Sequence, residues 1–279
     1  MLKIVKYPND PSYSLFVPFT RLWCAEPFLK SLETMILPRQ SMEIIFLNDT
    51  NDDDLQLILS NWMNDHGQEF NGAKLYQSGK SYPGEFADVS YRRERICMMK
   101  EKSKELLSKT AFVFCLEDDT IAPPNAFSKL MENLTADDDI AVSSGVEVGR
   151  WTSPIIGAWM IEPLEHPNKI TSIRYKKWGI REVDGCGWYC YVTYTSSYKA
   201  AHYRYEAESL GPDVVYAYDQ RKAGYRVVID WSIACTHLLE NGKNIIPSEY
   251  TTVGIWYRES GENWRYESDP TPIKINISE

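Results

Sequence analysis

Residues 111–116 read Ala-Phe-Val-Phe-Cys-Leu, and three acids follow at once: Glu117, Asp118 and Asp119. So short and wholly apolar a run predicts a buried strand that delivers the acids to its carboxyl end. Helices alternate with strands around it, so a mostly parallel sheet flanked by helices is expected, an α/β fold with short connections.

The neighbouring segments keep this rhythm. Ser14–Phe19 is an apolar run predicting a strand. Glu26–Leu37 carries apolar residues at helical spacing and is stopped by Pro38. Glu43–Leu47 predicts a second buried strand, closed by Asn48 and Asp49. Thr50 or Asn51 is the expected cap of a helix running to about Asp65, with Asp52, Asp53 and Asp54 in its first turn. Asn71–Glu85 reads as a weak strand and then a loop. Val89–Ser108 reads as a long basic helix. Further on, Ile140–Ser144, Ile155–Ile161, Trp188–Tyr194 and Arg226–Asp230 are expected strands. Asp213–Ala223 is an expected helix ended by Gly224, and the last forty residues are expected to be partly a loose tail.

Ligands of such sheets bind outside the carboxyl ends of the strands. That directs attention to 18–21, 48–50 and 117–120. Carboxylates there suit Mg²⁺ or Mn²⁺, whose remaining ligands are commonly water and substrate phosphates. The competing reading of the acids is a solvated turn, and that of Asn48-Asp49 a helix cap. A single histidine such as His237 is more often structural than a ligand.

Net charge is −9, which disfavours non-specific tracking of a nucleic-acid backbone. No secretory signal and no stretch of roughly 18 apolar residues is visible, so no transmembrane segment is expected. The six cysteines match no zinc-ligand spacing and are expected to be reduced, buried thiols in a cytoplasmic protein. Cys186 and Cys190 are expected on one face of a single strand. Among 9 Trp and 18 Tyr, most should be core. Trp188, after Gly185 and Gly187, is the aromatic residue expected to contact a ligand, with Trp151, Trp159, Trp178 and Tyr189 in the same half. The glycine pattern is a poor phosphate loop, since it opens no helix.

Several ordered segments resemble the family-2 glycosyltransferases of GT-A fold. These are SLFVPFTRLWCAEPFLKSLETM, IIFLNDTNDDD, the arginines 92, 93 and 95 before FCLEDDTIAPPNAFSKLM, DGCGWYCYVTYTSSYKA, and PDVVYAYDQRKAGYRVVIDWSIACTHL. They span roughly 14–238. The resemblance implies a Rossmann-like GT-A sheet with a smaller acceptor-side sheet. It also implies a nucleotide-sugar-binding half (1–120), an acceptor-binding and catalytic half (121–240) and a C-terminal extension (241–279). Pro18, Phe19 and Arg21 would line the nucleotide pocket, Asp49 would hold the base or ribose, and Arg95 would touch the diphosphate. Glu117 and Asp118 would lie at the donor, Asp118 near its ribose. Asp119 would ligate the metal, with His237 as a further metal or diphosphate contact. Asp213 would be the general base. The chain departs from the family where Pro212 replaces a glutamate.

The reaction so implied is metal-dependent, inverting transfer of a sugar from a nucleotide sugar, a UDP-sugar above others, to a glycan or other hydroxyl. At a helix N-terminus Asp213 is expected to stay ionised. Two other functions fit the same residues. One is transfer to hydroxymethylated bases of viral DNA, against which the net charge argues; the other is a non-catalytic nucleotide-sugar-binding module, suggested by Pro212. A nucleotidyltransferase would need a glycine-rich loop after the first strand, and Pro18-Phe19-Thr20-Arg21-Leu22-Trp23 has no glycine.

Overall fold

The computed structural model describes residues 2–6, 11–78, 89–149, 156–162, 169–172, 179–204, 211–242, 244–245, 254–259 and 265–268. The first half contains β1 (Leu2–Lys6), β2 (Tyr13–Phe19), α1 (Ala25–Thr34), β3 (Met42–Asn48), α2 (Asp53–His66), β4 (Gly72–Gln77), α3 (Val89–Leu106) and β5 (Phe112–Leu116). Next come β6 (Thr120–Ile121), α4 (Ala126–Leu134), β7 (Ile140–Val146), β8 (Ala158–Glu162), β9 (Lys169–Ser172), β10 (Ile180–Val183), β11 (Gly185–Cys186), β12 (Cys190–Tyr194) and α5 (Thr195–Ala200). The chain continues with α6 (Pro212–Lys222), β13 (Arg226–Ala234), β14 (Thr236–His237), β15 (Gly254–Glu259) and β16 (Arg265–Ser268).

A nine-stranded sheet in the order β1-β4-β3-β2-β5-β12-β7-β13-β10 forms the centre. Strands β4, β3, β2, β5, β7 and β13 share one direction, while β1, β12 and β10 oppose it. This is the mostly parallel α/β sheet expected. Strand alternation decides what lies on each face. Leu15, Val17, Phe19, Ile44, Phe46, Phe114 and Leu116 pack with the apolar faces of α1, α2 and α4. Phe16, Ile45, Leu47, Val113 and Cys115 turn the other way, towards α3, α5 and α6. The core therefore has two leaves with the sheet between them.

Some boundaries differ from expectation, for local reasons. Helix α1 ends before Pro38, because Met35 is buried in the core and the Ile36 amide donates to Pro124 O at 2.8 Å. The cap of α2 is Asp52, which accepts from the Leu55 amide at 3.0 Å, whereas Thr50 Oγ1 accepts from the Asp52 amide at 3.1 Å. Cys186 and Cys190 lie in separate sheets, in β11 and β12, because the chain turns at Gly187–Tyr189. All six cysteines are free and buried. The last forty residues are not simply a tail. β15 and β16 extend the second, five-stranded sheet, β11-β8-β9-β15-β16. Trp151, Trp178 and the loop half of Asn71–Glu85, beyond residue 78, lie outside the described residues.

At the foot of the large sheet one buried carboxylate ties four segments together. Glu43 accepts from Ser14 Oγ (2.6 Å), Lys74 Nζ (2.7 Å), the Ser108 amide (2.8 Å) and Ser108 Oγ (2.7 Å). Lys74 also donates to Leu106 O at 2.6 Å, fixing the end of α3. A buried ion pair that loses one partner leaves an uncompensated charge. Glu43→Ala should therefore lower unfolding free energy by about 3–5 kcal/mol, read by urea denaturation.

Candidate functional site

Three strand ends and one late ladder build the site. After β5 the chain turns through Glu117, Asp118 and Asp119, and Asp118 and Asp119 are buried despite their charge. The loop after β2 meets Asp118: the Thr20 amide donates to Oδ2 at 2.7 Å, Thr20 Oγ1 donates to the same atom at 3.3 Å, and Arg21 Nη1 donates to Oδ1 at 2.5 Å. Arg21 Nη1 also lies 3.0 Å from Asp119 Oδ2.

From the other side comes His237. Strand β13 runs four residues past the expected Asp230. It passes an irregularity beside β7 and carries the chain back across the site. There β14 pairs with β6, His237 opposite Thr120, and the Leu238 amide donates to Asp119 O at 2.8 Å. His237 Nε2 is thereby held 3.2 Å from Asp119 Oδ2. Its Nδ1 is 2.9 Å from Val148 O and 3.0 Å from Glu147 Oε1. A carbonyl only accepts, so Nδ1 carries a hydrogen. With that hydrogen on Nδ1, Nε2 faces the carboxylate oxygen of Asp119, and the two atoms could share a cation. Glu147 also accepts from Thr120 Oγ1 at 2.6 Å.

The charges respond to crowding. Burial works against the guanidinium of Arg21, but Asp118, then Cys24, Glu117 and Glu147, outweigh it and hold its pKa above the ordinary value. Burial drives Glu117 upward, and the like charge of Glu147 adds to this, while Arg21 and Lys100 oppose it.

Arg95 and Asp49 meet one another. Arg95 Nε donates to Asp49 Oδ2 at 2.7 Å, and Nη2 donates to Asp49 O at 2.6 Å. Asp49 also borders a cavity of about 550 Å³, lined in addition by Leu47, Tyr76, Cys97 and Met98. Neither Asp118, Asp119 nor His237 lines that cavity.

Asp213 lies in the first turn of α6, after Pro212, and is half-buried. Burial raises its pKa, and hydrogen bonds from the amides of Val214 and Asp213 oppose this without cancelling it, with smaller help from Arg93 and Lys100. Burial here works against the helix N-terminus, which alone would favour the charged form. A Cβ on Gly211 would come 2.6 Å from Asp213 Oδ1, so the carboxylate folds back over a residue that has no side chain.

Three expected contacts belong to the core. Phe19 is fully buried, edge-on to Phe28 and Phe46, so its side chain is part of the core. Pro18 is a buried strand residue opposite Leu47. Trp188 is 3% exposed, edge-on to Tyr203 and Tyr216. The glycines before it serve packing: a Cβ on Gly187 would meet Tyr189 Cε1 at 2.5 Å, and one on Gly185 would meet Val214 Cγ1 at 3.0 Å.

Sequence reading passed over Lys100, which is buried and donates to Tyr191 Oη at 3.2 Å. The rings of Trp188, Tyr191, Phe16 and Tyr198 surround its Nζ, with centroids 4.7–5.8 Å away. Desolvated cation–π contacts of this kind offset part of the burial cost. Thr20 and Glu147 were also missed. Thr20 stood beside a residue already singled out, whereas nothing local marks Glu147.

No family model and no curated relative matches the chain. Solved structures do resemble it. A mannosyltransferase from Pyrobaculum calidifontis, in complex with GDP-Man and Mn²⁺, aligns with a TM-score of 0.50 at 12% identity, over 80% of this chain and 55% of that one. A197 from STIV aligns at 0.44, with 13% identity, over 84% and 93% of the two chains. S. aureus TarS with UDP-GlcNAc aligns at 0.46, with 14% identity, over 78% and 55%. The protein thus spans about half the length of the mannosyltransferase and TarS chains. The likeness shows the fold, which is that of the GT-A glycosyltransferases.

If Trp188 is a core residue, Trp188→Ala should cost about 3–5 kcal/mol of stability. Chemical denaturation measures this directly.

Proposed function

We propose that this protein is a metal-dependent, inverting glycosyltransferase that moves a sugar from a nucleoside diphosphate sugar to an acceptor hydroxyl. The observation that carries the reading is the convergence of Asp119 Oδ2 and His237 Nε2, 3.2 Å apart, at the carboxyl end of β5. Ligands of open α/β sheets bind at such strand ends.

The residues fit a divalent cation. Asp119 offers an oxygen and His237 an imidazole nitrogen, a donor set suited to Mn²⁺ and compatible with Mg²⁺. The hydrogen on Nδ1, held by Val148 O and Glu147, leaves Nε2 as the ligating atom. Among the described residues no group of three or more His, Cys, Asp or Glu is arranged to hold a metal. The remaining ligands would therefore be diphosphate oxygens and water, as is usual for such ions. A bound cation would supply charge stabilisation to the departing diphosphate. The mannosyltransferase of similar fold was solved with GDP-Man and Mn²⁺, which supports a metal and a nucleotide sugar in general terms. A UDP-sugar remains the donor implied by the sequence resemblance, and guanosine donors belong in the same trial.

The other roles follow from position. Asp49, fixed by Arg95 at the rim of a cavity, would accept a hydrogen bond from the base or ribose. Arg95 would act by holding Asp49. Glu117 and Asp118 would border the donor, with Asp118 engaged by Thr20 and Arg21. Asp213 would take the proton of the acceptor hydroxyl as the new glycosidic bond forms. Attack from the face opposite the leaving diphosphate inverts the anomeric carbon. The acceptor would be a glycan or other hydroxyl compound, and net charge speaks against nucleic acid.

Calorimetry with UDP, GDP and their sugars, with and without Mn²⁺, tests the reading. Metal-dependent binding of one nucleotide is expected, and Asp119→Ala should abolish it. Folded protein that binds no nucleotide would refute the assignment. Asp213→Asn should lower kcat by about 10²–10⁴-fold. The base acts deprotonated and its pKa is raised, so activity should fall on acidification at a pH above the ordinary aspartate range. A pH profile of kcat/KM shows whether that limb is displaced upward.

A further inference from the structure

We propose that Arg21 is the resident counter-ion of the metal site. It would bridge Asp118 and Asp119 until a metal and a diphosphate arrive together, then yield Asp119 to the metal while its own charge passes to the diphosphate. This rests on the reading of Asp119 and His237 as metal ligands.

The first argument is competition for one atom. Asp119 Oδ2 faces His237 Nε2 at 3.2 Å and Arg21 Nη1 at 3.0 Å. A cation held between the facing atoms of Asp119 and His237 would share that oxygen with Arg21. Two positive groups there, away from bulk water, repel one another strongly.

The second is asymmetry. Towards Asp118 the arginine bond is short, 2.5 Å, and that carboxylate is fixed further by the Thr20 amide and hydroxyl. The contact to Asp119 is longer, and Asp119 is held through its main-chain carbonyl by Leu238. Releasing Arg21 from Asp119 therefore disturbs neither the backbone of the acidic turn nor the grip on Asp118.

The third is access. The side chain of Arg21 is 20% exposed, against 3% for Asp118 and 0% for Asp119. It sits on a loop after β2, outside any strand. Of the three partners, the arginine is the one with a path to an incoming ligand. Removing it with no replacement would leave Glu117, Asp118, Asp119 and Glu147 crowded without their shared guanidinium. Exchange for a metal avoids that state.

The consequence is coupling. The diphosphate draws Arg21 away and so favours the metal, and the metal favours the diphosphate by the same factor. Mn²⁺ alone should bind wild type weakly.

Mn²⁺ titration by electron paramagnetic resonance, without nucleotide, tests this on wild type, Arg21→Gln, Asp119→Asn and the double variant. Arg21→Gln should bind Mn²⁺ about tenfold tighter or better, and Asp119→Asn should remove that binding in both backgrounds. Adding UDP or GDP should then tighten Mn²⁺ more in wild type than in Arg21→Gln. Unchanged or weaker Mn²⁺ binding by Arg21→Gln would overturn the exchange, while its loss from wild type on Asp119→Asn would leave the metal site standing. No Mn²⁺ binding by wild type or Arg21→Gln, even with nucleotide, would overturn both. Should Arg21→Gln melt too early, Arg21→Lys supplies the comparison. Its lone ammonium bridges two carboxylates less well, so Mn²⁺ should raise its melting temperature more than that of wild type. An equal or smaller rise refutes the exchange.

Discussion

Everything at this site depends on how the buried carboxylates of Asp118 and Asp119 are kept from unfolding the turn that bears them. Burying a charge is costly unless it is paired and hydrogen-bonded. Here the pairing comes from three directions: the loop after β2, the β6–β14 ladder, and Thr120 with Glu147 behind His237. Each contributor lies at the end of a strand of the large sheet or on the chain leading from one. The sheet order therefore specifies the electrostatics as much as the shape.

Behind this polar end lies a second cation in a different environment. Lys100 points from α3 into rings contributed by β2, the turn before β12, β12 itself and α5. Tyr203 and Tyr216 enlarge the aromatic cluster around Trp188. The aromatic richness of the second half is thus spent on joining α3, α5 and α6 to the sheet. Glycines at 157 and 187 leave room for Tyr189, whose hydroxyl donates to Gly145 O and Gly157 O.

Sequence reading captured what depends on local pattern. Strands β2, β3 and β5 lie where continuous apolar runs placed them, since they are buried on both faces, and helices α2, α3 and α6 lie within two residues of their expected ends. The acidic turn was legible for the same reason, being the only way off so apolar a strand. What could not be read was partnership. Nothing around Arg21 says that it spans two carboxylates, nor around Arg95 that it faces Asp49, since these contacts join distant segments. Trp188 misled because an aromatic after glycines looks alike in a binding loop and in a tight core. At Asp213 the helix terminus is visible in sequence, whereas the desolvation that raises its pKa is not. β15 and β16 were missed because strands of six and four residues are too short for their alternation to stand out.

The ladder between β6 and β14 also orders events in time. Asp119 and His237 are 118 residues apart, yet they meet through two paired residues and one main-chain hydrogen bond. Contacts so distant along the chain are entropically slow to close. The three-strand core of β3, β2 and β5 can assemble from the first part of the chain, whereas the histidine side of the site must wait for β13 to dock on β7. A chain emerging during synthesis would carry its acidic turn well before it had a complete site, so the site is a property of the finished fold.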